Sequence, residues 1–135
     1  MSGIKNLNAL LNNMTPILNK GHFVFASVKN PKTINLEDAL GIFREKEGTT
    51  IILEQCKADE LNLKYDFIAS WITLSVHSSL DAVGLTASFS NALANESISC
   101  NVVAGFYHDH IFVNHKHAQK AMLVLQNISR KVKTL

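Results

Sequence analysis

Apolar residues recur first at helical spacing. Ile4, Leu7, Leu11, Met14 and Leu18 predict a helix that stops around Pro16 and the Lys20-Gly21 pair. Alternation follows: in residues 22–28, Val24, Ala26 and Val28 share one face, as in a strand. Asn35 is placed to cap a second helix, with Leu36, Ala39, Leu40 and Phe43 on one stripe and Gly48 at its end. Residues 49–53 are β-branched enough to form a strand.

A polar stretch at 57–64 is the best internal boundary. Beyond it, residues 67–76 alternate, with Ile72, Leu74 and Val76 facing one way and Trp71, Thr73 and Ser75 the other. A turn at 78–81 feeds a helix whose stripe is Leu85, Phe89, Ala92 and Leu93. Residues 98–107 read as a strand with Ile98, Cys100, Val102 and Ala104 on its buried face. His108-Asp109 is the tight turn that returns the chain to a short strand at 111–113. Ala118, Ala121, Met122, Leu125, Ile128 and Val132 then mark a C-terminal helix.

This second half reads β-α-β-β-α, one strand short of the β-α-β-β-α-β ferredoxin-like unit. The first half opens with the α-β piece that the second half lacks. The expectation is therefore an α+β, ferredoxin-like protein of antiparallel sheets with helices on one face, built as two related units sharing strands. Their expected bounds, set by the polar stretch, are 1–66 and 67–135, and neither half alone buries much surface.

Composition narrows the class. The chain has 135 residues, 47% hydrophobic and 18% charged, enough for a core and no case for disorder. Thirteen Lys+Arg against 11 Asp+Glu give a net charge of +2, too near neutral to argue for nucleic acid or an anionic membrane. No apolar run approaches the roughly 20 residues of a membrane span. The start, Met-Ser-Gly-Ile-Lys-Asn, lacks the apolar stretch of a secretory signal. Cys56 and Cys100 form no disulfide framework. A cytoplasmic location with reduced thiols is expected.

Candidate chemistry gathers at the turn after residue 76. Ser78, Ser79 and Asp81 lead into a helix N-terminus, whose free N–H groups suit a carboxylate. Gly84 admits close approach, and Asn101 lies off the core face, free to bond a polar ligand group. The competing reading is an ordinary capping turn with a glycine that permits tight packing. His108 and His110 have the spacing of zinc ligands, but no Cys or Glu supports them, so they read as an exposed hairpin rim. Ser78 or Ser79 with His108 and Asp109 supplies hydrolase residue types without a Gly-x-Ser-x-Gly elbow. Lys116, Lys120, Arg130, Lys131 and Lys133 make the last helix basic, which complements its C-terminal dipole. An RNA-recognition domain shares the element order, but its aromatic strand motif is missing at 105–108 and 111–114.

The stretch 68–113 resembles the ACT domain, a small-molecule-sensing module attached to aspartokinases and other enzymes of amino-acid metabolism. Four features carry the resemblance. A hydrophobic strand at 68–76 leads to Asp81-Ala82-Val83-Gly84, where the family typically has Asp-x-Pro-Gly. Leu85, Phe89 and Leu93 stand at the usual apolar helix positions. Ile98-Ser99-Cys100-Asn101 occupies the place of an Ile-Asn-apolar-polar strand start, and 107–113 matches the following hairpin. Val83 replaces the loop proline and Ser99 the common Asn. The N-terminal half matches by pattern alone, and the whole looks like the stand-alone bacterial proteins with two ACT-like units.

The resemblance implies a non-catalytic regulatory module with no cofactor and no metal. It would sense an amino acid or similar polar metabolite at the strand-to-helix loop and a subunit or repeat interface. The implied ligand-binding set is Ser78, Ser79, Leu80, Asp81, Val83, Gly84, Leu85 and Asn101. Because ACT domains associate through sheet edges or helices, a homodimer is expected, with no nucleic acid or membrane partner. The alternative is a protein–protein interaction domain that binds nothing small or, further off, an RNA-binding domain.

Overall fold

A computed structural model of the chain describes residues 6–76 and 81–134, with 130–134 as backbone only. The elements run α1 (Leu7–Asn13), β1 (Thr15–Leu18), β2 (Phe23–Val28), β3 (Ala39–Arg44), β4 (Thr49–Glu54), α2 (Gln55–Glu60), β5 (Ile68–Ser75), α3 (Leu85–Asn95), β6 (Asn101–Ala104), β7 (Asp109–Asn114) and α4 (Ala118–Thr134). They fall into two units. One is Lys20–Ala69; the other joins the residues up to Asn19 to those from Ser70 onward. The polar stretch 57–64 thus lies inside the first unit, and the N-terminal helix and strand belong with the C-terminal residues.

In Lys20–Ala69 the strands are ordered β3-β4-β2-β5, all neighbours antiparallel. Ile68 and Ala69, the start of β5, pair with Val24 and Phe23. Alternate residues of β2, Val24, Ala26 and Val28, bury against Ile34, Ile51, Leu53 and Ala58. The expected helix from Asn35 is instead one 3-10 turn, Leu36–Asp38, followed by β3. Asn35 does cap it, accepting from the Glu37 N–H. The helical stripe does not bury as one face: Ala39 packs against the core, while Leu36 is 73% and Phe43 72% exposed. Ile42 and Phe43 pair with Ile51 and Thr50 of the β-branched strand β4 instead. The polar stretch expected as the internal boundary begins within helix α2, anchored by the fully buried Ala58.

In the other unit the order is β6-β7-β5-β1. Read from β5, the elements run β-α-β-β-α, and β1 supplies the missing last strand from the chain's beginning. This is the same ferredoxin-like order, circularly permuted. Helices α1, α3 and α4 pack together. Their Leu10, Leu85, Phe89, Leu93, Ala121 and Leu125 meet Ile72 and Leu74 of β5 and Ile111 and Val113 of β7. The first helix is shorter than its apolar spacing predicts. It ends at Asn13, Met14 is extended, and Thr15–Leu18 pairs with β5. Pro16 opposes Leu74 and Leu18 opposes Ile72, so apolar residues of β1 reach the same core by period two.

The strand expected at 98–107 is also shorter. Only Asn101–Ala104 forms β6, and all four residues are exposed. Ile98 is buried, but it closes the C-terminus of α3, its N–H donating to the Leu93 carbonyl at 3.0 Å. The reversal comes at 105–108, where the Gly105 N–H donates to the His108 carbonyl at 2.9 Å, and Asp109 opens β7. Among the described residues no helix is long and apolar enough to cross a membrane.

Candidate functional site

The loop from β5 to α3 carries most of the sequence-predicted site. Val76 is buried at the end of β5. Ser78, Ser79 and Leu80 lie outside the described residues. Asp81 is exposed, Ala82 packs on the core, and Val83 is 83% exposed. Gly84 then takes φ +98° as the N-cap of α3, and no side chain caps the helix. Its carbonyl accepts the first helical bond, from Ser88 N–H at 2.9 Å. The first-turn N–H groups of α3 lack intrahelical acceptors and carry the positive end of the helix dipole. Leu85 is 3% exposed, so its side chain belongs to the core. Its backbone N–H is what the loop offers.

Asp81, Val83, Gly84 and Leu85 are therefore brought together by chain continuity. Asn101 sits on a separate element, β6, opposite Phe112 of β7. Its Nδ2 donates to the Phe112 carbonyl at 3.3 Å, so the amide helps hold the β6–β7 pair.

A polar cluster on β5 and β7 was not legible in the sequence. Trp71 Nε1–H donates to His110 Nδ1 at 3.0 Å, and Thr73 Oγ1 also lies 3.0 Å from that nitrogen. Asn19 Nδ2 donates to Thr73 Oγ1 at 2.9 Å, while its backbone N–H extends the ladder to the Trp71 carbonyl at 2.9 Å. His110 is half-buried rather than an exposed rim residue, and its neighbour His108 lies with Nδ1 3.4 Å from the Val76 carbonyl. Burial, then the nearby His108, push His110 below the usual imidazole range, with Asp109 opposing. Burial pushes the Asp109 carboxyl up, partly offset by His110. The alternation in β5 signalled that Trp71 and Thr73 share a face. The partner on β7 needed the strand order.

Among the described residues no three His, Cys, Asp or Glu side chains gather as a metal-binding group. Cys56 and Cys100 are both free thiols. Burial pushes the Cys100 thiol up to about 11, so it stays protonated at neutral pH and is a poor nucleophile.

Comparison with known proteins places this geometry. One ACT-domain model matches residues 2–70 and a second ACT-domain model matches residues 67–127. Among curated proteins none matches the chain. A crystal structure of a protein of unknown function from Vibrio cholerae, described as a possible transport protein, is similar over 95% of this chain and 99% of its own, with 45% identity and a TM-score of 0.80. A protein from Agrobacterium tumefaciens matches 86% of this chain and 89% of its own at 19% identity and a TM-score of 0.70. The regulatory subunit of aspartate kinase from Thermus thermophilus matches 84% of this chain and 95% of its own at 9% identity and a TM-score of 0.57, a likeness of fold. With two ACT-domain matches in tandem and two ferredoxin-like units, the chain belongs to the ACT-domain family.

Proposed function

We propose that this protein is a non-catalytic regulatory module that binds an amino acid or similar small polar metabolite. The single observation that carries this reading is the start of α3: a glycine N-cap at φ +98°, no capping side chain, and the exposed Val83 beside it. An α-carboxylate there would accept from first-turn N–H groups, as anions do at helix N-termini. Asp81, upstream on the same loop, carries the charge that an α-ammonium group needs. Family membership supports a regulatory module for a small ligand.

The test is a thermal-shift screen of the full chain against the twenty amino acids. A ligand that binds only the native state raises Tm by mass action, by about 2.7 kcal/mol of stability at a hundredfold excess over Kd. Val83→Asp isolates the site. This exposed position tolerates the change, and the added carboxylate repels an anionic ligand. A ligand-induced shift that survives unchanged in this variant moves the site elsewhere.

A second reading, an interaction domain with no small ligand, rests on edge strand β6 and the turn after it. Val102, Val103, Phe106 and Tyr107 are all exposed there, and β6 pairs with β7 on one side. We include in the proposal that a second copy of the chain covers this edge, giving a homodimer. Light scattering at micromolar concentration reads the mass directly. A monomer that still binds an amino acid would separate the ligand reading from the dimer.

A further inference from the structure

The Trp71–His110 hydrogen bond has a defined direction. An indole N–H can only donate, so His110 Nδ1 must present a lone pair to it. Neutral His110 therefore carries its proton on Nε2, the nitrogen that faces Gly105; a Cβ at Gly105 would stand 3.1 Å from it. Nδ1 has one in-plane lone pair, and the Trp71 N–H and Thr73 hydroxyl both lie 3.0 Å away. When a proton is added at Nδ1, the nitrogen becomes a donor. Two N–H groups then point at one another between Trp71 and His110, which is repulsive. Thr73 Oγ1 still has a lone pair beyond the one taken by Asn19. It becomes the acceptor of the new imidazolium N–H.

We propose that Trp71, Thr73 and His110 form a proton-operated switch between β5 and β7, in which protonation of His110 Nδ1 moves its hydrogen bond from Trp71 to Thr73 and releases the indole. The step is a plain protonation: the proton comes from solvent, and no covalent bond other than Nδ1–H forms. The groups around His110 define its response. His108 is the like-charged neighbour, with ring centroids 6.5 Å apart, and Asp109 is the opposing charge beside it. β5 presents the neutral Trp71 and Thr73, and β6 opposes His110 with Val103. Partial burial favours the neutral form and sets the switch on the acid side of the ordinary histidine range. The device joins the contact between β5 and β7 to acidification and does not depend on the α3 ligand reading.

Trp71 is the one tryptophan of the chain, so intrinsic fluorescence of the full protein reports on this indole alone. Between pH 8 and pH 4.5 the emission is expected to change in a single-proton step with a midpoint below about 6.5. His110→Gln abolishes the step while the far-ultraviolet circular dichroism stays that of the wild type. His108→Ala keeps the step and moves its midpoint upward, because the like charge is gone. Nitrogen-15 imidazole shifts of the wild-type protein at pH 8 provide a readout that needs no variant: Nδ1 is expected unprotonated and Nε2 protonated. A flat fluorescence profile in the wild type, a step that persists in folded His110→Gln, or a neutral tautomer protonated at Nδ1 would each overturn the proposal.

Discussion

Gly84 stands directly over Leu7: a Cβ built on Gly84 would meet the Leu7 Cδ2 at 3.1 Å. The glycine also holds φ +98°. Two independent constraints, space and backbone conformation, thus meet at the start of α3, and one of them comes from the first helix of the chain.

Gly84→Ala is therefore expected to destabilise the fold. The left-handed conformation costs a side-chain-bearing residue about 1–3 kcal/mol, and the Leu7 side chain must shift as well. Urea denaturation of the two proteins measures it. An alanine variant as stable as the wild type would show that the loop relaxes freely. This coupling to folding is also why the exposed Val83, and not Gly84, is the position for testing ligand binding.

Leu10→Ala tests whether the N-terminal helix is integral to the second unit. Leu10 is fully buried among Phe89, Leu93 and Leu125. Its truncation is expected to cost about 2–5 kcal/mol, the range for large-to-small changes in cores. A loss below about 1 kcal/mol would mean that α1 contributes little to that core.

Stability is expected to fall as the pH drops below about 6.5, the ordinary range of histidine. The folded state depresses His110, so between its folded and unfolded values the unfolded chain binds more protons. Stability then rises with pH through that window and is fully present above it. Asp109 has the opposite sign: its carboxyl is raised in the fold, so its protonation at lower pH favours the folded state. Denaturation midpoints at pH 7.5 and 5.5 check the histidine part, and His110→Gln should lose less stability than the wild type over that interval.

Alkylation should distinguish the thiols. Cys56 is exposed, whereas Cys100 is half-buried with its thiol pushed up to about 11. At neutral pH iodoacetamide is expected to label Cys56 well before Cys100. Peptide mapping by mass spectrometry reads the order, and preferential labelling of Cys100 would contradict the burial assigned to it.

Val103→Lys probes edge strand β6. An edge lysine opposes strand-to-strand pairing between copies while leaving an exposed position of the monomer intact. Light scattering should then report a smaller mass than that of the wild type at the same concentration. An unchanged dimer would place the subunit contact on another face.

By itself the sequence determined what period-two and helical patterns can encode. Val24, Ala26 and Val28 of β2, Ile72 and Leu74 of β5, and Leu85, Phe89 and Leu93 of α3 are all buried on the faces their spacing assigns. On these faces the apolar spacing coincides with a partner layer that buries it, so local pattern and tertiary demand agree. Gly84 was legible as a glycine position through the family resemblance, and it takes a backbone conformation that glycine readily adopts.

What the tertiary structure decided were the places where pairing outweighed pattern. Leu36, Leu40 and Phe43 have helical spacing, yet β4 offered Ile42 and Phe43 a ladder and left Leu36 and Phe43 in solvent. Met14 and Leu18 continue the stripe of α1, yet Thr15–Leu18 found its place along β5, 54 or more residues away in the chain. Trp71 and His110 came together for the same reason, through the adjacency of β5 and β7. Strand adjacency is non-local: backbone N–H and C=O groups on one segment are satisfied by a distant one, and no spacing within either segment records which.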